Sequence, residues 1–150
     1  CRRCVEMGKI IVVDASGSMG EEGKKSVIRY LIQAITGIME ERYPKTEYEI
    51  FCWNNQILSY EGKSEFEGIA EAPVFEDFLG KHQKDTILLI GDGNYSDDVK
   101  RVVKAVDNKL MYLMVGCECN RSRLIKLVSA DNLYETVDVV TCVDDFMSKT

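Results

Sequence analysis

Proline and histidine are nearly missing from this sequence: Pro44, Pro73 and His82 are their only occurrences in 150 residues. Without a proline-rich stretch, low-complexity tract or internal repeat to divide it, the chain is expected to fold as one compact domain. A chain of this length buries roughly 68 to 70% of its unfolded surface, enough to dispense with disulfide staples. Runs of 18 or more apolar residues are also absent, so no membrane span is predicted. The 19 basic residues are scattered among 25 acidic ones, giving a net charge of −6 and no basic stripe for nucleic acid. There is no initiating methionine and no basic, apolar and small-residue layout of a signal peptide in "CRRCVEMGKI", so the chain reads as a piece of a longer, cytoplasmic protein. Residues 1–8 are taken as a flank and 9–150 as the domain.

Six cysteines are present. "CRRC" has the spacing of half a zinc site, with Cys117 and Cys119 as its conceivable complement. The predicted strands put the two groups at opposite ends of the sheet, so free thiols in a reducing compartment are expected.

What is abundant is alternation of strand and helix. "KIIVV" and "TILLI" are short continuous apolar runs, the mark of strands buried on both faces. Between Gly23 and Glu41, Val27, Ile28, Leu31, Ile32, Ile35, Ile38 and Met39 recur at helical spacing. Tyr48, Ile50 and Cys52 alternate in a second strand, with Asn54-Asn55 turning into "QILSY" as an edge hairpin. Ser96, Asp97 and Asp98 suit the start of a helix carrying Val99, Val102, Val103 and Val106. "LMYLMVG" is a further strand, "NRSRLIKLVSA" a helix capped by Asn120, and "TVDVV" a last strand before a short helix from Asp144. The acids from Glu65 to Asp77 read as a solvated helix face. Of Phe51 and Trp53, one is expected to pack under a helix and the other to cover the sheet edge. The pattern predicts a doubly wound α/β fold, Rossmann-like: a mostly parallel six-stranded sheet, one antiparallel edge strand, and helices on both faces.

In such a sheet ligands bind beyond the carboxyl ends of the strands, where the winding reverses. Asp14 and Asp92 each end a buried strand there. Two carboxylates in one crevice repel and lose water, a cost that a cation or a proton offsets, and a metal is the natural remedy. Asp14, Ser16 and Ser18 project oxygens at intervals of two residues, and Gly17 and Gly20 let the turn fold tightly. Hard oxygen donors favour magnesium or manganese over zinc. The plainer alternative is that the serines only cap the next helix and Asp92 only stabilises a turn.

"IIVVDASGSM" resembles the opening of a von Willebrand factor type A (vWA) domain, whose Asp-x-Ser-x-Ser begins a metal-ion-dependent adhesion site (MIDAS). "ILLIGDG" is similar to that family's fourth strand and metal-site aspartate, with Gly91 where the family often has threonine. The likeness runs from Lys9 to Lys149. It implies a third loop donating a threonine hydroxyl from a Gly-Gly-Thr stretch, which this sequence lacks; Gly62-Lys63-Ser64 stands in its place, making Ser64 the candidate. The resemblance thus implies metal contact by Ser16, Ser18 and Ser64, with Asp14 and Asp92 acting directly or through water. It further implies a non-enzymatic module that binds Mg2+ or Mn2+ and captures a partner's Asp or Glu, and suggests an AAA+ ATPase of the MoxR kind as partner.

The rival resemblance is to the haloacid dehalogenase phosphotransferases, with Asp14 as nucleophile and Asp92 or Asp97 as metal ligand in "GDGNYSDD". That family's second aspartate is replaced by Ser16, which removes the acid needed for the leaving group. "SMGEEGKKS" fails as a phosphate-binding loop, having Ser18 for the leading glycine and Lys25 after Lys24; it reads as a helix start. "GDGNYS" fails as a dinucleotide loop because Ser96 replaces the third small residue. The only histidine lies before the fourth strand, remote from Ser16 and Ser18, and reads as a solvated surface residue rather than a hydrolase base.

Overall fold

The computed structural model describes residues 8–20, 23–60, 66, 68–93, 95–106, 110–115 and 128–149. Its strands are Lys9–Asp14 (β1), Glu49–Trp53 (β2), Ile57–Ser59 (β3), Thr86–Gly91 (β4), Leu110–Met114 (β5) and Leu133–Tyr134 (β6). Its α-helices are Lys24–Arg42 (α1), Ala72–Lys81 (α2), Asp97–Ala105 (α3) and Val139–Ser148 (α4). The strands form one sheet in the order β3-β2-β1-β4-β5-β6, in which only the β2–β3 pair is antiparallel. The doubly wound, mostly parallel six-stranded sheet read from the sequence is the sheet that forms.

β1 and β4 are buried along their whole length and pair with each other, Lys9 opposite Thr86 through Val13 opposite Ile90. Because side chains alternate across a strand, β1 feeds two cores. Ile11 and Val13 pack with Ile28, Leu31 and Ile35 of α1 and with Cys142, Val143 and Phe146 of α4. Ile10 and Val12 pack with Phe75 and Phe78 of α2 and Val99 and Val103 of α3. Each such aliphatic side chain contributes about 1.5–3 kcal/mol on burial, which is why the apolar runs take the middle of the sheet. From β1 the chain winds outward to β2 and β3, then recrosses to β4 and winds the other way. The carboxyl ends of β1 and β4 are therefore the switch point.

Pro73 lies in the first turn of α2 and Pro44 just beyond α1, both at element boundaries. The edge turn is longer than the expected Asn54-Asn55 pair. The Asn54 amide donates to the Gln56 carbonyl at 3.0 Å and the Gln56 amide to the Asn54 side chain at 3.3 Å, so Gln56 belongs to the turn. Trp53 is buried and stacked on Phe75 with ring centres 4.3 Å apart, and Phe51 packs edge-on to Phe78, so both rings lie against α2 rather than one of them covering the sheet edge. Glu76 and Asp77 form the solvated face expected of α2; Glu71 precedes that helix, and Glu65 and Glu67 lie outside the described residues.

Three expectations need correction or fall elsewhere. "TVDVV" is not a strand: Thr136–Asp138 is a 3-10 turn and α4 starts at Val139, not Asp144. The place beside β5 is taken by Leu133 and Tyr134, and the Thr136 hydroxyl turns the chain by donating to the Met114 carbonyl at 3.1 Å. His82 is not a solvated surface residue, being 24% exposed, against the Phe78 ring and 2.6 Å from an Asp85 carboxylate oxygen. It does lie at the amino end of β4, remote from the switch point. Cys142 is a free, buried thiol and Cys52 is buried in the same core; Cys1, Cys4, Cys117, Cys119 and the Asn120 helix start lie outside the described residues. Among the described residues no helix is long and apolar enough to cross a membrane.

Candidate functional site

The last residue of β1 sets up the crevice. Asp14 is fully buried, and its Oδ1 accepts the Ser16 amide at 2.9 Å, pulling the chain into a tight turn. The turn continues as a 3-10 helix over Gly17–Gly20, with the Met19 amide donating to the Ser16 carbonyl at 3.0 Å. Ser16 is buried beside Asp14. Ser18 lies in that 3-10 turn, and its hydroxyl is outside the described atoms.

The other oxygen of Asp14, Oδ2, is buried with no hydrogen-bond partner among the described residues. A buried carboxylate oxygen without a donor is costly. The effect appears in its acidity: burial foremost pushes the Asp14 carboxyl up to about 7, the Ser16 contacts pull it down, the neighbouring Asp92 raises it and Lys24 lowers it.

Asp92 follows β4 directly and is buried. Its Oδ2 lies 3.1 Å from the Nζ of Lys24, the first residue of α1, and both side chains are almost fully enclosed. Lys24 is the site residue that sequence reasoning passed over. The signal was present, since positions 24, 28, 31 and 35 share one helical face and the last three are core residues. A lysine in the first turn of a helix also runs against the helix dipole, which favours acids there.

The middle loop returns to this crevice. Ser64 itself lies outside the described residues. Beyond it, the Gly68 carbonyl accepts the Gly17 amide at 2.9 Å, and the Phe66 ring lies 5.9 Å from the Lys25 Nζ. Gly68 has φ +75°, and a Cβ there would fall 2.5 Å from the Asn55 side-chain oxygen, so only glycine allows this approach. Gly68 thus lies against the turn that follows Asp14.

Asp97 is not part of the crevice: its side chain is 94% exposed in the first turn of α3, whose Ser96 hydroxyl accepts the Val99 amide at 3.3 Å. The cap role read for Ser96 is the one it has. Beneath the crevice, Gly91 has no room for a threonine. A Cβ there would meet the Tyr95 and Tyr112 hydroxyls at 2.6 and 2.9 Å and the Asp14 Cβ at 3.1 Å.

Among the described residues no group of three or more His, Cys, Asp or Glu could hold a metal ion; the described oxygen donors here are the two aspartates and Ser16. The donor set is all oxygen, and Asp14 Oδ2 offers an unpartnered ligand atom. In chemistry the residues present fit Mg2+ or Mn2+ rather than a softer ion.

Comparison with solved structures establishes the fold. The chain is similar to the manganese-loaded TRAP protein of Plasmodium vivax, with TM-score 0.72 and 12% identity over 97% of this chain and 75% of that one. It is similar to the conserved hypothetical protein BatB of Bacteroides thetaiotaomicron, with TM-score 0.67 and 10% identity over 96% and 100% of the two chains. It also matches a von Willebrand factor type A protein of Catenulispora acidiphila, with TM-score 0.57 and 14% identity over 94% of this chain and 41% of that one. No family model matches the sequence, and no curated protein matches it. At these identities the likeness is one of fold: the chain has a vWA-like fold.

Proposed function

We propose that this chain is a protein-interaction module whose crevice holds Mg2+ or Mn2+ and presents it to a carboxylate of a partner protein. The observation that carries the reading is the buried Oδ2 of Asp14, which has no hydrogen-bond partner among the described residues and belongs to a carboxyl that feels the charge of Asp92. Asp14, Ser16, Ser18, Ser64 and Asp92 would hold the cation. When bound, it supplies an electrophilic position that a partner's Asp or Glu fills, a charge-assisted contact that orients an interface.

The chain's own residues do the rest. The Ser16 amide fixes Asp14 through Oδ1 and leaves Oδ2 without a partner among the described residues; the Gly17–Gly68 contact brings Gly68 beside the same turn. With neutral hydroxyls and water forming much of its direct shell, the cation would stay strongly electrophilic, which suits capture of an outside acid. The manganese-loaded state of the TRAP structure supports a cation in this fold. An AAA+ ATPase of the MoxR kind is the partner class that the sequence resemblance suggests, and a cytoplasmic location goes with it. A phosphotransferase reading has less support, because Ser16 stands where its proton donor is needed and Asp97 faces solvent.

Isothermal titration of the chain with MgCl2 and MnCl2 tests the proposal. Saturable heat that disappears in a folded Asp14→Ala variant is expected. Identical heats from the two proteins, or none from either alongside magnesium-dependent phosphate-ester hydrolysis, would overturn it.

A further inference from the structure

The crevice already contains a cation. Lys24 carries an ammonium group into a place where its side chain is 2% exposed, and its Nζ lies 3.1 Å from Oδ2 of a completely enclosed Asp92 carboxylate. Burying a lysine is unfavourable unless an anion compensates it, and it gains nothing as a helix former at this position, where the dipole repels positive charge. The local backbone is built for it. Gly23, immediately before, takes the left-handed conformation at φ +79° with open space around it, so the glycine serves the backbone bend rather than close packing. The bend starts α1 with Lys24 on the same face as Ile28 and Leu31, turned inward rather than to solvent.

We infer that Lys24 is a tethered counter-cation that neutralises Asp92 in the cation-free protein and competes with the divalent ion for that carboxylate. This rests on the metal-binding reading above and goes beyond it, because it says what a divalent ion must displace. The electrostatics are direct. An ammonium within hydrogen-bond distance of a ligand oxygen repels an incoming doubly charged ion, and in a buried site water screens that repulsion little. An ion that takes Asp92 must also separate a buried ion pair. Such a built-in competitor weakens affinity, keeps the aspartate pair from destabilising the fold without metal, and makes occupancy respond to cation concentration and to a partner's added carboxylate. Asp14, whose Oδ2 has no partner among the described residues, is the position open to the first contact.

The test compares wild type with Lys24→Met, which keeps the length and removes the charge, and Lys24→Gln, which keeps hydrogen-bond donation without charge. Manganese affinity is measured by calorimetry, and thermal unfolding is followed in EDTA and in saturating MnCl2. The competitor role predicts that both variants bind manganese about 10-fold or more tightly than wild type. Each should melt below wild type in EDTA and recover most of the loss in MnCl2. If the variants are unfolded in EDTA, folding on addition of MnCl2 carries the same meaning, and failure to fold in MnCl2 overturns the inference. Equal or weaker manganese binding by folded variants also overturns it while leaving the metal-binding reading intact. Manganese binding by the variants alone supports the inference, with Lys24 a permanent substitute for the ion, and removes the reading for the native chain. No binding by any of the three removes both.

Discussion

The hydroxyls of Tyr95 and Tyr112 meet at 2.7 Å directly beneath Gly91, and Tyr112 in turn accepts the Gly93 amide at 3.0 Å. Both residues are buried, and burial foremost, together with Tyr112 and the two aspartates, holds the Tyr95 hydroxyl well above its ordinary acidity range. It therefore stays neutral and can serve only as a hydrogen-bonding floor to the crevice. That floor explains the glycine where a vWA domain often has threonine: the space of a side chain at position 91 is filled by two tyrosine hydroxyls.

Gly91→Thr should accordingly destabilise the protein by about 1–3 kcal/mol, the usual cost of forcing extra atoms into a packed interior. Combining it with Tyr95→Phe removes the oxygen that lies 2.6 Å from the new Cβ. The double variant should lose less than the sum of the two single losses, because the residues share one clash. Urea denaturation of the four proteins checks this, and strict additivity would show that the hydroxyl pair does not set the residue at 91.

Asp14 gives the cation-free protein a pH dependence of definite sign. Burial raises its folded-state value from 3.8 to about 7. Between those values the unfolded chain has released the proton and the folded chain still holds it, so stability falls as pH rises through that window and then levels. Denaturant midpoints in EDTA should be higher at pH 5 than at pH 8 on this account, and Asp14→Asn should flatten the difference. A difference unchanged in that variant would assign the effect to other groups.

How much of this was legible in the sequence depended on whether a pattern was local. "KIIVV" and "TILLI" could be read as buried strands because four consecutive residues of each are apolar, and the helical spacing of Ile28, Leu31, Ile35 and Met39 fixed α1 within a residue at either end. The placing of Asp14 and Asp92 at one crevice followed from strand ends and the winding rule. The misread carboxyl-terminal segment shows the limit. "TVDVV" has the β-branched content of a strand, yet Val139, Cys142, Val143 and Phe146 repeat at three, four and seven residues and form the buried face of α4. Helical period outweighed β propensity, since propensity is the weaker of the two.

The Lys24–Asp92 pair lay further out of reach, joining residues 68 apart in sequence. The burial of Lys24 could be suspected from its helical phase; its partner could not, because charge pairing across a crevice leaves no periodic trace. His82 was misjudged for a related reason. A lone polar residue before a strand reads as surface, but here Asp85 and the Phe78 ring hold it half-buried.

Lys9 provides a second buried lysine with a different task. Its Nζ donates to the Phe146 carbonyl at 2.9 Å and to the Lys149 carbonyl at 2.6 Å, satisfying two acceptors at the end of α4 and tying that end to the start of β1. A cation at a helix carboxyl terminus complements both the free carbonyls and the dipole. Lys9→Met should cost about 1.5–3 kcal/mol, the range for a charged hydrogen bond. Amide exchange should accelerate in the last turn of α4 while the middle of β1 stays protected. Uniform acceleration across both elements would indicate a general loss of packing instead.

Trp53, the only tryptophan, joins the core to the crevice through its backbone and its ring together. Its carbonyl accepts the Ala15 amide at 2.8 Å, continuing the β1–β2 ladder one residue past Asp14, and its indole Nε1 donates to the Glu71 carbonyl at 3.0 Å, just before α2. The ring stacks on Phe75 at 4.3 Å and 19°. Removing it leaves a cavity beneath the switch point and takes one of two donors from the Glu71 carbonyl, which keeps the Phe75 amide at 3.3 Å, so Trp53→Ala should destabilise by about 3–5 kcal/mol. Trp53→Phe retains the stack but not the donor and should cost about 1–3 kcal/mol. Because a fully buried indole is the sole emitter of its kind, wild-type fluorescence should be blue-shifted in the native state and move red on unfolding at the same denaturant concentration as the loss of helical circular dichroism. An indole signal that moves earlier than the helical signal would mean that the α2 side of the sheet opens on its own, and that the floor of the crevice can loosen while the α1 side holds.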